Sequence, residues 1–181
     1  MSDLADRLRA LPGFPEHLPE LDTATLPEDP GELVLAWLED AIASGARQPH
    51  ALTLLTRGED GAPEGRTLIL KDVDEHGYHV ATSRRSAKGR QLAADPRAAM
   101  VLFWRETGRQ VRLSGTVAAL DAEASRRDWL SRPSATGEVD PDWQVYALRP
   151  ERVELMQARE DRRHTRVLYT RPDGIWEHRL L

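Results

Sequence analysis

A mainly β domain with flanking helices, of the α+β class, is what this sequence predicts, and three observations carry the expectation. Short apolar runs, several alternating with period two, recur between turn residues such as Glu59-Asp60-Gly61 and Asp74-Glu75-His76-Gly77. Helical patterns begin where a capping residue stands ready, at Asp29-Pro30, Ser86 and Asp121. A chain of 181 residues with 40% hydrophobic residues and five tryptophans suits one packed domain rather than a disordered tail.

Composition narrows the function classes. No apolar run approaches a membrane span, and the N-terminus (Met1-Ser2-Asp3-Leu4) is acidic rather than signal-like, so a soluble cytoplasmic protein with no membrane partner is expected. The absence of cysteine excludes disulfides, zinc–thiolate sites and thiol catalysis. A net charge of −5 argues against nucleic-acid binding. The cations are nevertheless bunched, at 84–90, 105–112 and 159–171, a pattern that suits a small anionic ligand.

Residues 1–28 read as an irregular, Pro-rich lead-in, with a short helix over 2–10, and residues 29–181 as a single domain. Asp29 caps a helix with Pro30 at its first position; Leu33, Leu35, Ala36, Leu38, Ala41 and Ile42 supply its apolar spacing up to Gly45. Ala51 to Thr56 is a strand, Arg66 to Val73 a partly buried one, and Tyr78 to Thr82 another. His76 and His79 flank the intervening turn and read as exposed histidines; with no third ligand in sequence, no metal is expected.

Ser83-Arg84-Arg85-Ser86-Ala87-Lys88 then leads into a short helix over 89–94 capped by Ser86. Free helix N–H groups, a hydroxyl and nearby cations describe a phosphate seat, and describe a solvated basic turn equally well. Ala98 to Trp104 is an unbroken apolar run, as in a strand buried on both faces. Arg109 to Leu120 is a long strand with Gln110, Arg112 and Ser114 on one face and Val111 and Leu113 on the other. Its polar row either lines a site or meets solvent.

Asp121 to Ser131 is a capped helix that Arg132-Pro133 ends, because the residue before proline resists the α conformation. After Arg149-Pro150, the apolar Val153, Leu155 and Met156 mark a further strand region. Arg162, His164 and Arg166 stand two apart, so an extended chain projects all three from one face. Such crowding repels itself unless an anion or carboxylate neutralises it, which points to a site. Arg171 to Gly174 is a turn and Ile175 to Leu181 a closing strand.

Five blocks in order, Arg66-Thr67-Leu68-Ile69-Leu70-Lys71, the Thr82…Ser86-x-Lys88 turn, Arg109-Gln110-Val111 with Gly115, Ser131-Arg132-Pro133, and Arg162-Arg163-His164-Thr165-Arg166, resemble the pyridoxamine 5′-phosphate oxidase family. The resemblance runs from about Leu52 to the C-terminus. It implies a six-stranded-type split β-barrel that binds FMN and works as a homodimer. It also implies an FMN-dependent oxidase, with hydride passing from the substrate carbon to the flavin and molecular oxygen reoxidising it. Carried onto this chain, it assigns Arg66, Thr67, Leu68, Ile69, Lys71, Ala81, Thr82, Ser86, Lys88, Gln110 and Arg166 to the cofactor, with Gln110 bonding the flavin ring. Lys71, Arg132 and Thr136 would hold the substrate phosphate. Arg162 and His164, the catalytic pair, would press the substrate ring toward the flavin. Related alternatives are a flavin oxidase for another anionic, ring-containing metabolite and a non-catalytic barrel that binds FMN or a B6 phosphate.

The chain also departs from the family pattern. Only Ala135 to Trp143 spans an interval where relatives carry an insertion with cofactor contacts. Ala87 stands for an arginine, Met156 for a tryptophan and Asp128 for a tyrosine. An aspartate there would repel a phosphate, so Asp128 turns away or the ligand differs. Arg66 and Lys71 are five apart, and a regular strand points them to opposite faces unless it bulges or the cleft lies between two chains.

Overall fold

A computed structural model describes residues 3–135 and 137–181. Its strands are β1 (Ala51–Arg57), β2 (Pro63–Ile69), β3 (Asp72–Asp74), β4 (Gly77–Ser83), β5 (Arg97–Trp104), β6 (Arg109–Ala119), β7 (Trp143–Gln157), β8 (Thr165–Thr170) and β9 (Glu177–Leu180). The helices are α1 (Asp3–Arg9), α2 (Pro30–Ala43), α3 (Ala87–Ala94) and α4 (Ala122–Ser131), with a single 3₁₀ turn at Pro172–Gly174. The caps act as their residue types require: Asp29 accepts from the Gly31 N–H, Ser86 from Gly89 and Asp121 from Ala124.

The strands pair antiparallel in the order β2-β1-β5-β6-β7-β4-β3, with β8 on β7 and β9 on β8. The expected strand from Arg66 to Val73 is two strands at opposite ends of that order. Leu70 donates its N–H to His50 O on the β1 side, and Lys71 donates its N–H to His79 O on β4, each at 2.8 Å. One bend at Leu70-Lys71 therefore joins the two ends of the sheet and closes a barrel. Counted as one bent strand, β2–β3 gives six strands around it. The bend also removes the expected opposition of Arg66 and Lys71, since the two no longer share a strand.

β7 belongs to two structures at once. Residues 143–148 pair with β4 and 152–157 with β8, while both halves pair with β6. Pro150, which has no N–H to give, marks the division. Opposite it, the register slips between Ser114 and Gly115. A Cβ at Gly115 would sit 2.0 Å from Arg149 O, so only glycine fits this crossing.

The barrel interior is filled by Leu54, Met100, Val111, Leu113, Leu148 and Leu155 among others, all at or near zero exposure. Helix α2 covers it with Val34, Trp37 and Ala41; Leu35 and Ile42, which the spacing counted toward the apolar face, are exposed. The tryptophan fixes which stripe turns inward, because it offers the largest area to bury. Arg109 braces the helix: its Nη1 donates to Asp40 Oδ2 at 2.6 Å, its Nε to Gln157 Oε1 at 3.0 Å, and its guanidinium lies 4.8 Å over the Trp37 ring. β5 is not buried on both faces as expected; it alternates, with Phe103 47% exposed. Leu21 and Leu26 of the lead-in pack on the core, and Tyr169 donates its hydroxyl to Pro27 O at 3.0 Å. Among the described residues no helix is long and apolar enough to cross a membrane.

Candidate functional site

At the start of α3, Ser86 Oγ accepts from the Gly89 N–H at 3.2 Å and lies 3.3 Å from Thr82 Oγ1. A Cβ at Gly89 would lie 2.6 Å from the carbonyls of Ser83 and Arg84, so the first helical turn sits directly on the preceding loop. Arg66 enters from β2. Its Nη1 donates to Thr56 Oγ1, and its Nη2 to Gln91 Oε1 and Glu64 Oε2, each at 3.1 Å. Thr56 donates its hydroxyl to the same Gln91 oxygen at 2.6 Å, and both residues are buried. Arg66 is thus held by a buried relay before any ligand arrives.

Lys88 lies close enough to Arg66 to feel it. Burial pushes the lysine pKa down, and the guanidinium pushes it further the same way. Two cations, two hydroxyls and a helix N-terminus converge here, an arrangement that suits a phosphate rather than a bare turn. The chemistry of the donors fits a phosphate group such as that of FMN, which Arg66, Thr82, Ser86 and Lys88 would hold. Of the other residues assigned to the cofactor, Thr67 and Ile69 are exposed on β2, Leu68 packs against the core, and Ala81 is buried on β4 beside Val145.

Lys71 opens onto a different place, a cleft of about 810 Å³ between the β3–β4 hairpin and α4. Its Nζ lies 3.4 Å from Asp128 Oδ1, while Asp128 Oδ2 accepts from Trp143 Nε1 at 2.8 Å. Asp128 does not turn away; it faces the lysine. The Arg132 guanidinium lies over two indoles that meet edge-on, 4.3 Å from the Trp129 ring and 4.5 Å from that of Trp143. Thr136 lies outside the described residues. His79, expected to be an exposed turn residue, is 5% exposed in the wall of this cleft. Its Nε2 is 2.9 Å from Asp74 Oδ1 but off the line a hydrogen bond needs. The β4–β7 pairing buries it, because a central strand has both faces covered.

The third group lies at the far end of β7. Arg162, His164 and Arg166 do not share one strand face. The chain turns over Ala158 to His164, with Arg162 left-handed at φ 61°, and β8 starts only at Thr165. Asp161 builds that turn by accepting the Arg163 N–H and both arms of the Arg159 guanidinium. His164 Nδ1 accepts the Arg159 N–H at 3.1 Å, which leaves Nε2 to carry the ring proton and to donate. The Phe14 ring stands edge-on to His164 at 6.3 Å and to Phe103 at 6.2 Å. Gln110 lies opposite both Phe103 and Met156, and Met156 lies opposite Arg166. Of Arg162, His164 and Arg166, it is Arg166 that meets a carboxylate, Glu154. That glutamate is buried and takes Arg112 at 3.1 Å, Arg166 at 3.4 Å and Arg152 at 3.7 Å.

Residues read as one site therefore fall into three groups within a chain. Lys71 bonds at His79, which pairs with Ala147, whereas Arg166 pairs with Met156. Nine residues of β7 separate those rungs, on the order of 30 Å in an extended strand. Sequence reading missed Gln91, Glu154, Phe14 and the Trp129–Trp143 pair. Gln91 carried a faint signal as a polar residue inside a short helix; the others had none, because each acts through a partner distant in sequence.

The chain matches the family model for pyridoxamine 5′-phosphate oxidase over residues 38–157, and that for the pyridoxine 5′-phosphate oxidase C-terminal dimerisation region over residues 143–181. It is 35% identical over 197 residues to the pyridoxine/pyridoxamine 5′-phosphate oxidase of Pseudomonas paraeruginosa, covering 89% of this chain and 92% of that one. The same identity holds over 184 residues with the Burkholderia lata enzyme, covering 83% and 86%. Among solved structures, PhzG from Burkholderia lata in complex with tetrahydrophenazine-1-carboxylic acid superposes with a TM-score of 0.83 at 27% identity, over 91% of this chain and 98% of that one. An FMN-binding, pyridoxamine 5′-phosphate oxidase-related protein from Nostoc punctiforme shares the fold, with a TM-score of 0.73 at 21% identity over 84% and 97%.

Proposed function

The chain belongs to the pyridoxamine 5′-phosphate oxidase family, and from that membership we propose that it is an FMN-dependent oxidase of ring-bearing amines or alcohols, of the pyridoxamine and pyridoxine phosphate type. The observation that carries the reading is the seat formed by Arg66, Thr82, Ser86 and Lys88, where two cations crowd each other beside a helix N-terminus. FMN held in that seat would supply the redox chemistry, as acceptor of the hydride from the substrate carbon, with molecular oxygen reduced to peroxide as the final acceptor.

The protein's own part is position and charge. Arg66 is pre-set by Gln91 and Thr56 to meet the cofactor phosphate. Gln110, whose amide has no partner among the described residues, is available to the flavin ring, as is Arg166 beside Met156. His164 can donate from Nε2 to a substrate, and Arg162 stands exposed next to it, so the pair orients the donor carbon rather than removing its proton.

The working unit is a homodimer. Within one chain Lys71 and the Arg162–His164 turn lie toward opposite ends of β7, so a small substrate can meet both groups only where a second chain contributes one of them. The match to a C-terminal dimerisation region supports this arrangement. The likeness to PhzG, whose bound compound carries a carboxylate, favours a second reading in which the substrate is another anionic ring compound.

The test has two parts. Freshly purified protein should show a flavin spectrum, and it should release peroxide with pyridoxamine phosphate or with another ring amine or alcohol. A colourless protein that takes up no FMN would refute the reading. A yellow protein inert toward every such compound would make it a flavin carrier.

A further inference from the structure

The substrate end of the 810 Å³ cleft is not built for a dianion. The one lysine that lines it, Lys71, is engaged at 3.4 Å by Asp128. That carboxylate is fixed on its other oxygen by the Trp143 indole N–H at 2.8 Å, and its side chain is only 12% exposed, so it cannot swing out to free the lysine without breaking both contacts. Arg132 is drawn toward the indoles instead, its guanidinium lying over both Trp129 and Trp143 and its Nη2 donating to Ser134 at 3.4 Å. Around Lys71 the cleft is lined by the carboxylates of Asp72, Asp74, Glu75, Asp121 and Asp128, against which Arg127 is the other cation.

We propose that Asp128 sets the substrate class: by neutralising Lys71 it makes this cleft take a ring compound whose far end is uncharged or singly charged, and refuse one that ends in a phosphate dianion. The proposal rests on the reading of this cleft as the substrate site of an oxidase. A phosphate drawn to Lys71 would meet the aspartate at van der Waals distance, and like charges at such range oppose binding in a partly buried site. A hydroxyl or a single carboxylate can share the pair by hydrogen bonding, since the lysine keeps donors that Asp128 does not use.

Binding, rather than turnover, tests this. Calorimetric titration of the flavin-loaded protein with pyridoxal 5′-phosphate and with pyridoxal should give the phosphorylated ligand an affinity at or below that of pyridoxal. Asp128→Asn keeps the acceptor for Trp143 and removes the charge. It should tighten pyridoxal 5′-phosphate about tenfold or more, the scale of one regained charge-assisted contact, and leave pyridoxal unchanged. Asp128→Ser should move in the same direction, and adding Lys71→Met to Asp128→Asn should abolish the gain. Wild-type protein that prefers the phosphorylated ligand overturns the proposal. So does the absence of any gain in Asp128→Asn, whether both proteins bind it tightly or neither binds it. Neither result touches the oxidase reading, which fails instead on a missing flavin spectrum or missing peroxide.

Discussion

Replacing Lys88 by alanine should separate the cofactor's phosphate from its ring. The Lys88 ammonium sits at the start of α3, and its pKa is depressed first by burial and then by Arg66. An anion placed between the two cations would relieve that crowding and gain one charge-assisted contact from Lys88. Such a contact contributes about 1.5–3 kcal/mol. At about 1.4 kcal/mol per tenfold, its loss weakens FMN binding by roughly 10- to 150-fold. With FMN in excess, the stabilisation it gives falls by the same free energy. For a domain of this size that lowers the melting temperature of the loaded protein by about 3–12 °C. Riboflavin, which has no phosphate, should lose almost nothing. The cofactor-free variant should melt no lower than wild type, because removing Lys88 relieves its repulsion with Arg66. Paired thermal scans and titrations with FMN and riboflavin read all of this. Equal losses for the two flavins would remove Lys88 from the phosphate seat and refute the argument.

Arg162→Ala and His164→Ala should leave the flavin spectrum and melting temperature nearly unchanged while peroxide production falls roughly a hundredfold, the scale expected when a donor carbon is misplaced by about an ångström; unchanged turnover in both would make the 158–164 turn a surface loop. Light scattering of the flavin-loaded protein at micromolar concentration should give twice the chain mass, and a monomer mass would end the shared-site model. Gly115→Ala should destabilise the fold by about 3 kcal/mol or more in urea, because the added Cβ meets Arg149 O at 2.0 Å with backbone on both sides; a change under about 0.5 kcal/mol would mean the β6–β7 crossing relaxes freely. Burial, and secondarily the Asp29 charge, raise the Tyr78 pKa above its ordinary value of about 10, so the folded state holds a proton that the unfolded chain releases. Its contribution is complete below about pH 10 and is lost as pH climbs toward the folded value, at up to about 1.4 kcal/mol per pH unit; Tyr78→Phe should flatten the alkaline limb of the stability curve, and an unaltered limb would exclude Tyr78 as its source.

The β-rich class, the cap residues Asp29, Ser86 and Asp121, the inward Val111 and Leu113, and the ordered family blocks were all legible in the sequence, because each depends on neighbours within a few positions or on a fixed period. A cap needs only its own helix start, and alternation needs only the next residue but one. Tertiary structure alone decided the rest. Leu70-Lys71 breaks a strand because His50, just before β1, and His79, on β4, offer carbonyls at the two ends of the sheet. The turn that takes Arg162 off the face of Arg166 is the exception, since Asp161 closes it through Arg159 and Arg163, each two residues away. Asp128 meets Lys71, and Glu154 gathers Arg112 and Arg166, through pairings 57, 42 and 12 residues apart in sequence. Charges act over a few ångströms of space, and chain position says nothing about that distance until the sheet has closed.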